Sequence, residues 1–163
     1  MSASLPFRLA VISDEVSQEP RRIAALAREH RLAAVEIRSL WDRPPHLLSR
    51  DQVRDARSIF ADAGLEVCGI ASPFLKCDYG DEAQFEQHLE ILRKSAERAD
   101  QFATSFIRGF TFWRHAPLAG RFEPILEKFQ EVIRILESTS KTLLIENESS
   151  TNTATGAETA RFL

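Results

Sequence analysis

The sequence predicts an α/β fold of the (β/α)8 TIM-barrel type, present as an incomplete barrel of about five parallel strand–helix units, on three observations. Apolar, β-prone runs alternate five times with helical stretches and no low-complexity linker intervenes, a pattern that means parallel strands joined by right-handed crossovers. Polar residues stand at the carboxyl end of every run, as a ring of barrel loops requires, whereas an open doubly wound sheet gathers them at one switch point. No GxGxxG or P-loop follows the first run, so the nucleotide anchor usual in an open sheet is missing.

The first run, Phe7 to Ile12, breaks into a polar loop at Ser13-Asp14-Glu15. Pro20 then stands in the first turn of a helix, where its missing N–H costs little, with Ile23, Ala24, Leu26 and Ala27 as its apolar stripe. In the second run, Ala33 to Arg38, Val35 and Ile37 point one way, Glu36 and Arg38 the other. Consecutive prolines make Trp41 to Pro45 a loop, Ser49 and Gln52 form a capping box for the next helix, and Gly64 closes that helix. The third run, Leu65 to Ala71, passes into Ser72 to Lys76. The helix from Asp81 to Gln101 carries Phe85, His88, Leu89, Leu92, Ala96 and Ala99 at helical spacing.

The fourth run, Thr104 to Phe110, sets Arg108 on the face of Phe106 and Phe110. An amphipathic helix follows, its stripe drawn from Phe122, Ile125, Leu126, Phe129, Val132, Ile133 and Leu136. The fifth run, Leu143-Leu144-Ile145, reads as a strand buried on both faces, and it ends on Glu146-Asn147-Glu148, whose acids share one side. A last helix opens at Thr155-Gly156-Ala157-Glu158. The chain stops soon after a strand-end loop, as though further units were absent from a barrel that typically needs about 250 residues. We expect residues 1–163 to be a single domain, truncated at its C-terminus.

Composition excludes several classes. With 21 Lys and Arg against 24 Asp and Glu, and a net charge of -3, the chain offers no field for nucleic acid. Its apolar runs are strand-sized, short of the roughly 20 residues of a membrane span, and no signal-peptide layout opens it, so a cytoplasmic protein is expected. Of the two cysteines, Cys68 reads as a buried strand residue and Cys77 as a loop thiol, and neither sits in a zinc or redox motif.

The strand-end groups are Asp14 and Glu15, Glu36 and Arg38, Ser72 and Lys76, Arg108, and Glu146 with Glu148. On a barrel rim they converge. Carboxylates ligate Mg²⁺ or Mn²⁺, or zinc when joined by histidine, and arginine or lysine beside them holds a phosphate or a sugar hydroxyl. A metal that chelates a hydroxyl and a carbonyl acidifies the adjacent C–H for a carboxylate base. That chemistry suits aldose–ketose isomerisation or epimerisation, although structural ion pairs, such as Glu36 with Arg38 or Arg108, account for part of the set.

The runs Ser13-Asp14-Glu15-Val16-Ser17, Val35-Glu36-Ile37-Arg38-Ser39-Leu40-Trp41, Ala71-Ser72-Pro73-Phe74-Leu75-Lys76-Cys77-Asp78 and Leu144-Ile145-Glu146-Asn147-Glu148 resemble the sugar phosphate isomerase/epimerase proteins of the xylose isomerase-like TIM-barrel superfamily. The resemblance covers nearly the whole chain from Phe7 onward. It implies that Glu146 is catalytic and ligates a divalent metal (Mn, Mg or Zn), that Glu36 is a second catalytic carboxylate, and that Arg38 contacts the substrate. Lys76, Arg108, Glu148 and Trp41 complete the candidate substrate-binding set. The family's other metal ligands, an aspartate, a histidine and a second glutamate, come from later strands and are expected beyond residue 163. The expected partner is a small-molecule sugar or sugar phosphate, with no nucleic acid or membrane, and a homo-oligomer is a further expectation because an open sheet leaves edges uncovered. Two rival readings are an abasic-site endonuclease of the same superfamily, disfavoured by the lack of basic surface, and a non-catalytic binding or assembly domain.

Overall fold

The structure, a computed structural model, describes residues 7–115, 120 and 122–163. Five strands alternate with helices along the chain, and they fall in two compact units.

The first unit takes the chain up to Ala71 together with Arg98–Thr104. It contains β1 (Ala10–Ile12), the single-turn α1 (Ser13–Val16), α2 (Pro20–His30), β2 (Ala34–Ile37), a 3-10 turn (Pro45–Leu47), α3 (Arg50–Asp62) and β3 (Glu66–Ala71). Parallel pairing sets Ile12 beside Glu36 and Ile37 beside Ile70. Local chemistry sets the helix ends as expected. Pro20 occupies the first turn of α2, Ser49 and Gln52 close a capping box on α3, and Gly64, at φ +68, lets the chain leave α3 in the left-handed region. Ile23, Ala24 and Ala27 of α2 and Val53, Ala56 and Phe60 of α3 are buried, as are Ala34, Val35 and Ile37 of β2. Full burial of a side chain such as Phe60 is worth about 1.5–3 kcal/mol.

Three details depart from expectation here. β1 is three residues long, and Phe7 and Leu9 before it lie exposed. Ser13-Asp14-Glu15 wind into a helical turn instead of a loop. Cys68 is exposed. The register slips after Val35, which pairs with Val67 while Glu36 pairs with Gly69, so Cys68 is the extra residue of a β-bulge and leaves the buried face.

The second unit takes Ser72–Glu97 and Ser105–Leu163. It holds most of α4 (Glu82–Gln101), then β4 (Phe106–Gly109), α5 (Phe122–Thr139), β5 (Thr142–Ile145) and α6 (Gly156–Phe162). Asp81 caps α4, its carboxylate accepting from the Gln84 backbone and side-chain amides at 3.0 and 2.9 Å. The helix histidine His88 has a structural task, its Nδ1 accepting from the Leu75 backbone N–H at 2.9 Å. Ile125, Phe129, Val132 and Ile135 form the buried stripe of α5. Ile133, expected on that stripe, is exposed, because a face running through 129, 132 and 135 turns position 133 outward. Strand β4 lies parallel to β5 with Ile107 opposite Leu143 and Arg108 opposite Leu144. Gly109 allows Phe74 to cross β4, since a Cβ there would meet the Phe74 ring at 3.0 Å and Leu143 at 3.1 Å. The expectation that β5 is buried on both faces is corrected: Leu144 is 45% exposed, as is Phe106 on the same face, while Leu143 and Ile145 on the other are half-buried. Cys77, expected as a loop thiol, is buried, and burial pushes its thiol up to about 12.

Candidate functional site

Each unit gathers charged side chains at the carboxyl ends of its own strands. In the first unit the organising group is Ser13, fully buried at the end of β1. Its hydroxyl donates to the Ser39 carbonyl at 2.9 Å and accepts from the Arg38 and Ser39 backbone amides at 3.0 and 3.3 Å. One short side chain thus joins the ends of β1 and β2. The α1 turn then presents both acids to Arg38, whose Nε donates to Asp14 at 2.8 Å and whose Nη2 donates to Glu15 at 3.1 Å. Burial pulls the Arg38 guanidinium down, but Asp14 and Glu15 outweigh it and hold the group above its ordinary value. Arg38 is therefore neutralised by two acids of its own unit. Glu36 stands half-buried opposite Ile12 and Gly69, and its charge joins desolvation in raising the Cys68 thiol.

Trp41 belongs to a different part of the first unit. Trp41 and Asp42 both take left-handed φ values, 52 and 57, the signature of a type I′ turn, closed by reciprocal hydrogen bonds of 3.0 Å between Leu40 and Arg43. Gln18 holds this turn, its carbonyl accepting from the Trp41 amide at 2.8 Å and its side-chain oxygen from the Asp42 amide at 3.0 Å. The indole faces a cleft of about 600 Å³ lined by residues of α2 and α3, among them Ala24, Arg28, Ser58 and Asp62.

In the second unit Arg108 ends β4 and Glu146 follows β5, whose backbone pairing continues one step past the strand through Glu146 N–H to the Gly109 carbonyl at 3.0 Å. Parallel register brings the two side chains onto one face, and the Arg108 guanidinium donates to the Glu146 carboxylate. Beside them Lys76 Nζ lies 2.6 Å from Glu148, 4.2 Å from the Phe110 ring centre and 5.8 Å from that of Trp113. Burial pushes the Glu148 carboxyl up, but hydrogen bonds from Lys76 and Ser150 with the charges of Lys76 and Arg108 prevail and hold it below the usual carboxylate range. So four of the expected residues, Lys76, Arg108, Glu146 and Glu148, are brought together as two ion pairs.

What fixes them was not visible in the sequence. The loops after β3, β4 and β5 are stitched together by backbone hydrogen bonds: Phe110, Phe112 and Trp113 amides donate to Phe74, Leu75 and Cys77 carbonyls at 3.0, 2.9 and 2.9 Å, and the Arg114 and Asn152 amides donate to the Ser150 and Phe112 carbonyls at 2.8 and 3.1 Å. Leu75 and Phe112 do this in the left-handed region, at φ 61 and 64, a conformation that costs a bulky residue on the order of 1–3 kcal/mol. Asn152 clamps the arrangement. It is fully buried, and its Nδ2 donates to the carbonyls of Thr111, Phe112 and Trp113 at 2.8, 3.3 and 3.3 Å. Neither its type nor its spacing marks it out in Thr151-Asn152-Thr153. Around the rim, His115 pairs with Asp78 and Arg114 with Glu158, and the Arg114 and Thr155 hydrogen bonds keep the Glu158 carboxyl low.

These residues do not by themselves fit a divalent ion. Glu146 is bonded to a guanidinium, and among the described residues no three His, Cys, Asp or Glu side chains come together as a ligand set.

Parallel βα units with acids and bases at the carboxyl ends of the strands define the class, α/β-barrel proteins of the kind that carry their chemistry on strand-end loops. Residues 24–163 match the family model described as xylose isomerase-like TIM barrel, and the chain belongs to that family. Its five parallel strands and intervening helices are those of an incomplete TIM barrel. Among solved structures it is similar to 3-keto-D-glucoside 4-epimerase from E. coli (12% identity, 94% of this chain and 62% of that one, TM-score 0.70) and to D-psicose 3-epimerase crystallised in the presence of D-fructose (14%, 96% and 58%, 0.72). It is also similar to a xylose isomerase-like TIM barrel protein from Mycobacterium smegmatis in complex with magnesium (14%, 99% and 62%, 0.65). At such identities the likeness is one of fold, and the chain spans about 60% of the length of these structures. No curated protein sequence matches it. Among the described residues no helix is long and apolar enough to cross a membrane.

Proposed function

We propose that this chain carries the strand-end residues of a sugar or sugar-phosphate isomerase or epimerase of this family, a cytoplasmic enzyme of single-domain build. The observation that supports the reading is the pair of ion pairs in the second unit, Arg108 with Glu146 and Lys76 with Glu148, set beside Phe110 and Trp113. In the proposed reaction the Glu146 carboxylate takes the proton from the carbon next to a sugar carbonyl, leaving an enediolate and a neutral carboxylic acid. Donation of a proton to the opposite face of that carbon by a second acid gives the epimer, with the Glu146 proton then passing to solvent, whereas delivery of the Glu146 proton to the neighbouring carbon gives the isomer. Arg108 orients Glu146 in the resting state, while Lys76 and Glu148 bind sugar hydroxyls. In the first unit Glu36 is the proposed second acid–base group and Arg38 a sugar contact, while Trp41 would contact a sugar in the separate cleft lined by α2 and α3. The family's structural relatives include a magnesium complex, and the proposed divalent metal would use Glu146 with ligands other than the residues described. The exposed Phe106 and Leu144 support a homo-oligomer, which sedimentation of the purified chain tests.

Proton abstraction is tested by solvent exchange. The chain is incubated with D-fructose in D2O with and without Mn²⁺, and loss of the proton signal next to the carbonyl is followed by NMR. Exchange by the wild type and its loss in Glu146→Gln is the expected result. Equal exchange by wild type and variant, or none by either, would overturn the assignment.

A further inference from the structure

The proposed function leaves open whether the sugar carries a phosphate, and the charge bookkeeping of the second unit bears on that question. Its described strand-end segments, Ser72–Asp81, Arg108–His115 and Glu146–Thr155, contain three permanent cations, Lys76, Arg108 and Arg114. Each already has a carboxylate: Glu148 on Lys76, Glu146 on Arg108, and Glu158 on Arg114 at 2.9 Å. The histidine of these segments, His115, faces Asp78. With Asp81 capping α4, these segments hold four acids, Asp78, Asp81, Glu146 and Glu148, against three permanent cations, and Glu158 joins them from α6. The backbone amides that would welcome an anion at the start of α6 are likewise occupied from within, since Glu158 Oε2 accepts from the Ala154 and Thr155 amides at 3.0 Å each and from the Thr155 hydroxyl at 3.1 Å.

A dianionic phosphate entering this region would have to displace a carboxylate from its cation and would meet excess negative charge while doing so. A polyol meets no such opposition. Its hydroxyls both donate and accept, so they can bridge a cation and a carboxylate without separating them, and its C–H face can rest on the half-buried Trp113 indole and the Phe110 ring beside Lys76. We infer that the second-unit site takes an uncharged polyol, a free sugar, and that Glu148 is the specificity-determining residue that excludes a phosphorylated one by holding Lys76. The inference rests on the sugar reading given above and narrows it.

The test uses the indole N–H resonance of Trp113 in the full chain, distinguished from that of Trp41 by the Trp41→Phe variant, the chain having two tryptophans. D-fructose, D-fructose 6-phosphate and inorganic phosphate are titrated separately into the wild type and into Glu148→Gln. The expected result is that D-fructose shifts the resonance, inorganic phosphate does not, and the 6-phosphate binds no more tightly than the free sugar. In Glu148→Gln, Lys76 loses its ion-pair partner, and affinity for the 6-phosphate should rise by about tenfold, one charge-assisted contact at a part-exposed site. Wild-type binding of the 6-phosphate about tenfold tighter than the sugar, a shift with inorganic phosphate, or an unchanged 6-phosphate affinity in Glu148→Gln overturns this inference and leaves the sugar reading standing. No shift with either sugar overturns both.

Discussion

The two strand-end clusters solve one problem by different means. In the first unit a cation is matched by two acids supplied from a turn one strand away, Asp14 and Glu15 on Arg38, and a single buried hydroxyl, Ser13, ties the strand ends together. In the second, cations and acids alternate one to one, and the loops bearing them are held by a buried amide and by two bulky residues in left-handed conformations. The first is anchored mainly by local hydrogen bonds to extended backbone. The second holds strained backbone that persists only because its surroundings over-determine it. A cluster that binds through paired charges needs its loops fixed, because a shift of about 1 Å in a charge-assisted contact forfeits most of its geometry.

The sharpest way to break this contrast is to remove the clamp. Asn152→Ala strips three backbone carbonyls of a donor in a fully buried position and should lower stability by about 2–3 kcal/mol, near the upper end for loss of a buried polar partner. Urea unfolding measures it. A loss under about 0.5 kcal/mol would mean that the backbone ladder alone holds the left-handed residues. Ser13→Ala is the matching experiment in the first unit. It frees the Arg38 and Ser39 amides and the Ser39 carbonyl, and about 1–2 kcal/mol is expected. If it exceeds Asn152→Ala in the same assay, the ranking of the two anchors drawn above is reversed. A smaller effect belongs to Asp14→Asn. The Arg38 pair is part-exposed and Glu15 remains to hold the guanidinium, so stability should fall by about 0.5 kcal/mol or less, and double substitution with Glu15→Gln should cost more than the two single losses combined, as shared partners do.

Periodicity carried most of the fold. Five runs of strand-forming residues, the capping box at Ser49, the helix start at Thr155-Gly156-Ala157-Glu158, and Gly64 after α3 are local signals, and each marks an element or an end in the structure. The failures share a cause. Cys68 leaves the core because of a register slip, Ile133 because of the packing angle of α5, and β5 shows one bare face, all decisions made between elements rather than within one. The candidate site divides in the same way. Glu146, Arg108, Lys76 and Glu148 were legible because charged residues closing apolar runs are conspicuous, whereas their pairing was not, since it joins segments about 40 to 70 residues apart whose register only the sheet sets. Asn152 carried no signal at all, because its value lies in three carbonyls of another loop.

The smallest expected effect concerns pH. The Glu148 carboxyl is held below its ordinary range by Lys76, Ser150 and Arg108 against the desolvation that raises it. In the unfolded chain the same group returns to the ordinary carboxylate range. A folded value below the unfolded one means that the unfolded state takes up the proton first, so the ion pair stabilises the fold fully above the unfolded value and is lost as pH falls through the folded one. Lys76 and Glu148 are about 30% exposed, which limits the contribution to about 0.3 kcal/mol. Comparing urea midpoints of wild type and Glu148→Gln from pH 7 down to pH 3, the wild type should lead at neutral pH and the difference should close as the pH falls. A difference that widens towards low pH would show that Glu148 is held in its protonated form in the folded chain, and Lys76 would then lack the anion that the proposed selectivity against phosphate depends on.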